Sequence, residues 1–178
     1  CWGAQAGLYH HFGINKSIMD EKLFGVYEHD IYNDRPVLLR GFDEKFWMPH
    51  SRHTTVSLQQ IKENRDLELL AGSDPTGAAI VRSLDNKHIF VFGHAEYDWD
   101  TLNREYERDI NKGMDIAVPE NYFPNDDPKQ RPIVRWRSVS TLLFTNWLNY
   151  YVYQETPYII EQIQKMKFER DKNLGAYI

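Results

Sequence analysis

Apolar residues along the chain form short continuous runs and segments with the three-to-four-residue spacing of a helix, which together predict an α/β protein. The clearest run is Ile89 to Phe92, which ends at Gly93-His94. A four-residue run without polar interruption is typical of a strand that is buried on both faces. We therefore predict a central strand here, with His94 at its carboxyl end.

Other strands are predicted where apolar runs lie between turn-forming residues. They are residues 23–27, 37–39, 67–71 and 78–83, and the turn before the last of them contains Asp74, Pro75 and Gly77. Residues 46–53 are polar and aromatic, and we predict a loop for them.

Helices are predicted from apolar spacing and from the residues at their ends. The segments are 2–11, 58–64, about 100–112, 138–154 and 158–172. Gly13 and Gly113 are stop signals after two of them, and Asp98 or Asp100 can cap the third. Residues 114–135 are rich in proline and polar side chains, so we predict a long ordered loop there.

The composition favours one domain. With 178 residues and 42% hydrophobic side chains the chain can bury an ordinary core, and we predict one α/β domain over 1–178 with a helical extension from about residue 138. The net charge of -5 argues against nucleic acid or anionic lipid as a partner. One cysteine allows no internal disulfide, and no apolar run reaches the length of a membrane span. We therefore predict a cytoplasmic protein without membrane contact.

The first residue is the candidate nucleophile. The chain opens with Cys-Trp-Gly and no initiator Met, so we expect a sequence cut from a longer one, with an apolar strand ending at Cys1. Cys1 precedes small residues and a predicted helix, and the positive end of the helix dipole favours thiolate there. A lone cysteine can equally be a small buried hydrophobe, and the distance to a base decides between the two interpretations.

His94 is the candidate base, because open α/β sheets carry their sites at the carboxyl ends of strands. If the chain stays extended through Ala95, Glu96 points to the same side and can orient the imidazole. Ordinary surface turns also produce such His-x-Glu pairs. His50 and His53 have a spacing seen in metal sites, but no further ligands accompany them, so no metal site is predicted.

Three further polar residues are ambiguous when they are read locally. Arg108 lies off the apolar stripe of its predicted helix and could grip a substrate carboxylate as a bidentate fork. The alternative is a solvated arginine beside Glu105 and Asp109. Lys22 and Ser51 have no distinguishing local feature.

Seven short strings, in the same order along residues 1–154, resemble the family of homoserine O-acetyl- and O-succinyltransferases. They are Cys1-Trp-Gly-Ala-Gln-Ala-Gly, Lys22-Leu-Phe-Gly-Val-Tyr, Leu39-Arg-Gly-Phe-Asp, Pro49-His-Ser-Arg, Gly93-His-Ala-Glu-Tyr-Asp, Asn121-Tyr-Phe-Pro and Leu143-Phe-Thr-Asn-Trp-Leu-Asn-Tyr-Tyr-Val-Tyr-Gln. The family is similar in fold to class I glutamine amidotransferases. The resemblance implies a flavodoxin-like three-layer sandwich with a mostly parallel sheet, of which this chain is the carboxy-terminal half.

The resemblance also implies roles for seven residues. They are the catalytic Cys1, His94 and Glu96, the substrate contacts Lys22, Ser51 and Arg108, and the backbone amide of Trp2 in the oxyanion hole. Arg108 would hold the homoserine carboxylate. One departure is Ala95, where the family usually has proline, which loosens the turn at His94 without removing a catalytic group.

The activity that the resemblance implies is ping-pong acyl transfer through a thioester on Cys1, in methionine biosynthesis. The donor is acyl-CoA as a co-substrate, with acetyl favoured over succinyl, the acceptor is L-homoserine, and no cofactor is expected. A homodimer is possible. The alternatives are a glutamine amidotransferase, an inactive fragment, and an amidase with an amino-terminal nucleophile, which would need a strand directly after Cys1.

Overall fold

The protein is described by a computed structural model that covers residues 1–32 and 36–156. Its strands are β1 (Lys16–Ile31), β2 (Lys45–Val56), β3 (Leu67–Ser73), β4 (Gly77–Ser83) and β5 (Ile89–Val91). Its helices are α1 (Trp2–Phe12), α2 (Leu58–Glu63), α3 (Thr101–Asn111) and α4 (Arg137–Trp147), and a π-helical turn, Leu148–Val152, continues α4. Among these helices none is long and apolar enough to cross a membrane.

The five strands form one sheet in the order β2-β1-β3-β4-β5, and every neighbouring pair is antiparallel. The prediction of a mostly parallel sheet is therefore wrong for the described residues. The connections explain the difference, because only residues 74–76 join β3 to β4 and only residues 84–88 join β4 to β5. A parallel pair needs a crossover of roughly a dozen residues or more.

The strand β5 lies at one edge of this sheet, so its predicted central position is also wrong within the described part of the chain. Phe90 is buried, whereas Ile89 and Val91 are only partly buried. A run of apolar residues indicates that apolar groups pack against it, and here α1 packs against β5. A Cβ added at Gly7 of α1 would lie 2.8 Å from Cε1 of Phe90, so glycine allows the close packing of α1 on β5.

Residues 46–53, predicted as a loop, belong to β2, which pairs with β1 along nearly its whole length. The buried polar residues His50 and Arg52 interrupt the apolar alternation that would have indicated a strand. Residues 37–39, predicted as a strand, form a 3-10 turn instead. The amide of Asn146 in α4 donates to the carbonyl of Leu38 at 2.9 Å, which holds this turn against the helix.

The pairing of β1 with β2 contains a large bulge. Ile18 lies opposite Thr54 and Leu23 lies opposite Arg52, so residues 19–22 of β1 face a single residue of β2. Bulges next to functional sites commonly redirect a side chain. Here the bulge carries Lys22 toward α3, which its ammonium group contacts.

The helix predictions agree with the structure better than the strand predictions do. α1 ends at Gly13, which has the left-handed conformation of a helix stop (φ 69°), and α2 and α3 match their predicted segments within two residues. α4 with its π-helical turn corresponds to the predicted helix 138–154. The predicted helix 158–172 lies outside the described residues.

The predicted loop 114–135 is confirmed, apart from a 3-10 turn at Pro124–Asp126, and it docks on β1 through Glu120. The Glu120 amide donates to the carbonyl of Phe24 at 3.0 Å, and its carbonyl accepts from the amide of Val26 at 2.8 Å. Gly25 between them has φ 153°, and a Cβ there would lie within 2.9 Å of the Glu120 backbone. Only glycine permits this approach.

Gly25→Ala should therefore destabilise the protein. The added methyl group overlaps the Glu120 backbone, and we expect the free energy of unfolding to fall by about 2 kcal/mol or more, measured by chemical denaturation. Gly3→Ala in α1 is the matched control, because no atom lies within 4 Å of the added Cβ, and it should stabilise slightly. A Gly25→Ala variant as stable as the parent would contradict the docking of the loop.

Candidate active site

Cys1 lies at the start of α1, where two strands meet it. Its backbone nitrogen donates to the carbonyl of Val91 in β5 at 3.0 Å, and its Sγ lies 3.9 Å from the carbonyl oxygen of Ser51 in β2. The thiol is partly exposed. A helix follows Cys1, not the strand that an amidase with an amino-terminal nucleophile would need.

The amino-terminal turn of α1 suits a thiolate. The first amide groups of any helix have no acceptor within it, and the helix dipole adds partial positive charge at this end. Both effects favour the ionised sulfur of Cys1. Trp2 is the first residue of α1, so its amide belongs to this set. Its role in an oxyanion hole stays a prediction.

His94 and Glu96 form a hydrogen-bonded pair just beyond β5. The Nδ1 of His94 lies 2.8 Å from Oε1 of Glu96. The chain does not stay extended through Ala95, the condition under which this contact was expected, because the Tyr97 amide donates to the carbonyl of His94 at 3.2 Å and closes a turn. The turn still brings the two side chains together. A carboxylate can only accept, so Nδ1 of His94 carries the proton and Nε2 is left as the basic nitrogen.

Neighbouring groups lower the pKa of the Glu96 carboxyl group and pack against the His94 ring. Burial pushes the pKa of Glu96 upward, but the hydrogen bond from His94 and a backbone hydrogen bond act against it, and the pKa lies below its ordinary value. The Tyr97 ring stacks on His94 with centroids 4.3 Å apart. Burial, with the charges of Glu105 and Glu96, raises the pKa of Tyr97 to about 12, so its phenol is neutral.

One cavity of about 890 Å³ connects the thiol and the imidazole. Cys1, His94 and Glu96 line it together, and the facing wall includes Leu143 and Trp147 of α4. The structure thus brings the three residues predicted as catalytic to a single cavity. Their catalytic roles stay predictions.

The three predicted substrate contacts also meet, on two carboxylates of α3. The Nζ of Lys22 lies 2.7 Å from Glu105 and 3.3 Å from Asp109, and the Ser51 hydroxyl donates to Glu105 at 2.7 Å. The guanidinium of Arg108 contacts Asp109 at 2.7 Å and Glu105 at 3.6 Å. This charged cluster combines two cations, two anions and a hydroxyl.

The sequence analysis named Glu105 and Asp109 only as neighbours of a solvated Arg108. Their four-residue spacing puts both on one face of α3, which was the available signal. Both carboxylates are largely buried, and the hydrogen bond from Arg108, together with that from Lys22, lowers the pKa of Asp109. The side chain of Arg108 is paired with Asp109 and 55% exposed, as expected of a solvated arginine beside these carboxylates. Its contact with a substrate carboxylate stays a prediction.

His50 and His53 lie on β2, where positions three apart face opposite sides of the sheet. His50 is buried against His29, with the two Nε2 atoms 2.9 Å apart, and His53 is exposed. In residues 1–32 and 36–156 no group of three or more His, Cys, Asp or Glu side chains is arranged to hold a metal.

Known sequences resemble this chain closely. A family model described as homoserine O-succinyltransferase matches residues 1–158. The homoserine O-acetyltransferase of Bacillus cytotoxicus is 59% identical over 160 residues, 90% of this chain and 53% of the relative. That of Clostridium acetobutylicum is 60% identical over 158 residues, 89% of this chain and 52% of the relative. The chain therefore spans about half the length of these curated relatives.

Solved glutamine amidotransferases are similar in fold. The protein from Thermotoga maritima has a TM-score of 0.51 at 17% identity, over 82% of this chain and 52% of that one. The protein from Methylobacillus flagellatus has a TM-score of 0.51 at 16% identity, over 86% and 59%. Identities this low establish the fold alone. They confirm the predicted glutamine amidotransferase-like architecture, although the described strands run antiparallel.

The contact between His94 and Glu96 should be visible in the titration of the carboxyl group. The pKa of Glu96 is lowered on folding, so its contribution to stability is present above the ordinary glutamate pKa and is lost as pH falls through the lowered value. In His94→Gln the imidazole is gone, and we expect the pKa of Glu96 to rise, measured by carbon-13 NMR. Tyr97→Phe keeps the stacked ring and is the control. An unchanged Glu96 pKa in His94→Gln would mean that His94 does not hold the carboxylate.

Proposed function

We propose that this chain, which belongs to the homoserine O-succinyltransferase family, forms the catalytic site for acyl transfer from acyl-CoA to the hydroxyl of L-homoserine. The observation that carries the proposal is the cavity that Cys1 shares with the hydrogen-bonded pair of His94 and Glu96. A thiol at a helix start, a base and a carboxylate that orients the base are the parts that nucleophilic acyl transfer requires.

In the first half of the reaction, Nε2 of His94 takes the proton from Cys1. The thiolate attacks the thioester carbonyl of acyl-CoA, and amides at the start of α1, including that of Trp2, stabilise the oxyanion. The intermediate collapses to an acyl thioester on Cys1. Coenzyme A leaves as its thiol after it takes the proton back from His94. One thioester replaces another, so this half is nearly neutral in free energy.

In the second half, His94 deprotonates the hydroxyl of homoserine, whose oxygen attacks the acyl group on Cys1. The carbon–sulfur bond breaks, the sulfur recovers its proton from His94, and an oxygen ester is released. The ester is more stable than the thioester, which drives the transfer forward. Throughout, Glu96 fixes the tautomer of His94 and stabilises the imidazolium that forms in each half.

The charged cluster matches the acceptor, because an α-amino acid carries one ammonium and one carboxylate. Arg108 is the more exposed cation of the cluster, and its planar guanidinium can take the carboxylate. The described contacts of Glu105 with Lys22, Ser51 and Arg108 are all to Oε1, which leaves Oε2 to accept from the ammonium. Lys22 then keeps the two carboxylates of α3 charged and in position.

We propose acetyl-CoA as the preferred donor, with succinyl-CoA as the alternative. The names of the relatives from Bacillus cytotoxicus and Clostridium acetobutylicum support acetyl transfer, whereas the family model is described by succinyl transfer. Rates with the two donors at equal concentration, in the protein as the organism makes it, decide between them. Glutaminase activity without homoserine acylation would instead favour an amidotransferase.

The thioester predicts isotope exchange without the acceptor. Labelled coenzyme A should exchange into acetyl-CoA when homoserine is absent, because the first half-reaction is reversible. Cys1→Ala should abolish this exchange and lower the overall rate by roughly 10³-fold or more. Exchange or acyl transfer at a near-normal rate in Cys1→Ala would end the proposal.

The contact between Arg108 and the homoserine carboxylate predicts a selective kinetic effect. Arg108→Lys keeps the charge but loses the fork, so kcat/KM for homoserine should fall roughly 10- to 100-fold. In a ping-pong reaction kcat/KM for acetyl-CoA should not change. Arg104→Lys is the matched control, since Arg104 lies on the same helix, is 63% exposed and pairs with Asp100 at 3.3 Å. Equal effects of the two variants would contradict the assignment.

A further inference from the structure

Arg52 is a buried cation next to the site that the mechanism above does not use. It lies on β2 with only 4% of its surface exposed. One terminal nitrogen donates to Nδ1 of His50, and the other donates to the carbonyl of Thr76. Its Nε has no hydrogen-bond partner among the described residues, and its guanidinium carbon lies 5.8 Å from the centre of the Phe92 ring.

Among the residues that the structure describes, no carboxylate pairs with this charge. Within residues 1–32 and 36–156 Arg52 forms no ion pair, and its partners are a carbonyl and an imidazole. Burying an ion without a counter-charge is strongly unfavourable, so such a residue calls for a physical explanation. Burial lowers the pKa of Arg52 only to about 10, and it stays a cation at neutral pH.

The two histidines beside Arg52 are neutral. Arg52 can only donate, so Nδ1 of His50 accepts, Nε2 of His50 carries its proton, and that proton is directed at Nε2 of His29. Burial holds the pKa of His50 well below its ordinary value and lowers that of His29 to about 4. The positive charge of this buried row therefore belongs to Arg52 alone.

Arg52 acts on the same region as the nucleophile. It directly follows Ser51, whose carbonyl oxygen lies 3.9 Å from Sγ of Cys1. Thr54, which faces the same side of β2 as Arg52, donates to the side chain of Gln5 in α1 at 2.7 Å. The helix that begins at Cys1 therefore packs against the face of β2 that carries Arg52.

The other titratable groups near Arg52 in the described part of the chain do not supply a buried anion. Burial raises the pKa of Tyr27 on β1, which keeps that phenol neutral beside Arg52. Glu96, which pairs with His94, and Glu120, which bonds Tyr27, are mostly exposed to solvent. The thiol of Cys1 is the group in this region that becomes an anion during acyl transfer.

We propose that Arg52 is a positioning residue for the nucleophile, whose buried charge stabilises the Cys1 thiolate and the negative charge that develops as the acyl group is transferred. The helix dipole at α1 and the guanidinium on β2 act on the sulfur together. His50 and Thr76 hold the guanidinium in place, so the charge is oriented before substrate binds. The proposal rests on the proposed role of Cys1 as nucleophile.

The test is the pH dependence of Cys1 alkylation by iodoacetamide, followed by mass spectrometry of the Cys1 peptide in the protein as the organism makes it. Arg52→Met and Arg52→Gln remove the charge and should raise the pKa of the Cys1 thiol by about one unit or more. Alkylation near neutral pH should then slow about tenfold. Arg52→Lys keeps a cation and should stay within a few tenths of a unit of the parent.

A structural role of Arg52 predicts a different result. Replacement of buried ions by apolar residues of similar size is often tolerated, so we expect Arg52→Met to fold even if Arg52→Gln does not. Lys45→Gln removes an exposed charge from the same strand and is the matched control. Unchanged alkylation profiles in the charge-free variants, or an equal shift in Arg52→Lys, would overturn the proposal. Alkylation needs no acyl-CoA or homoserine. The proposed role of Arg52 can therefore be overturned while the proposed acyl transfer stands, and acyl transfer can be overturned while the role of Arg52 stands.

Discussion

The site depends on how α1 packs against β5. The hydrogen bond from the Cys1 backbone to Val91 and the close approach of Gly7 to Phe90 fix the start of the helix beside the end of the strand. His94 follows β5 by three residues, so the same packing brings its imidazole to the cavity of the thiol. If α1 shifted along β5, the nucleophile and the base would separate, although both residues would remain in the chain.

β2 contacts both parts of the site, the cavity at Cys1 and the charged cluster. The carbonyl of Ser51 lies against the sulfur of Cys1, and its hydroxyl donates to Glu105 in the charged cluster. The next residue, Arg52, carries the buried charge, and the bulge of β1 opposite this part of β2 delivers Lys22 to α3. The strand β2 therefore determines how Cys1, the charged cluster and the buried charge of Arg52 lie relative to one another.

The sequence determined the parts of the site that are local. Small residues after Cys1 and a glycine stop indicated the helix that follows the nucleophile, and the spacing of His94 and Glu96 allowed their contact. Likeness to a known family singled out Lys22 and Ser51, which have no distinguishing local feature. Helix ends and tight turns depend on neighbouring residues, and for that reason the helices predicted within the described residues and the turn at residues 74–76 agree with the structure.

Only the tertiary structure decided which partners these residues meet. The pairing of β1 with β2 and β3 joins segments far apart in the chain, so its direction was not readable from apolar runs, whereas the short connections after β3 and β4 already require antiparallel neighbours. Buried polar residues such as His50 and Arg52 broke the alternation that would have marked β2 as a strand. Glu105 and Asp109 became visible only where the bulge brings Lys22 to α3. The type of a residue determines its charge, but the packing of segments far apart in the chain determines which charged group it contacts.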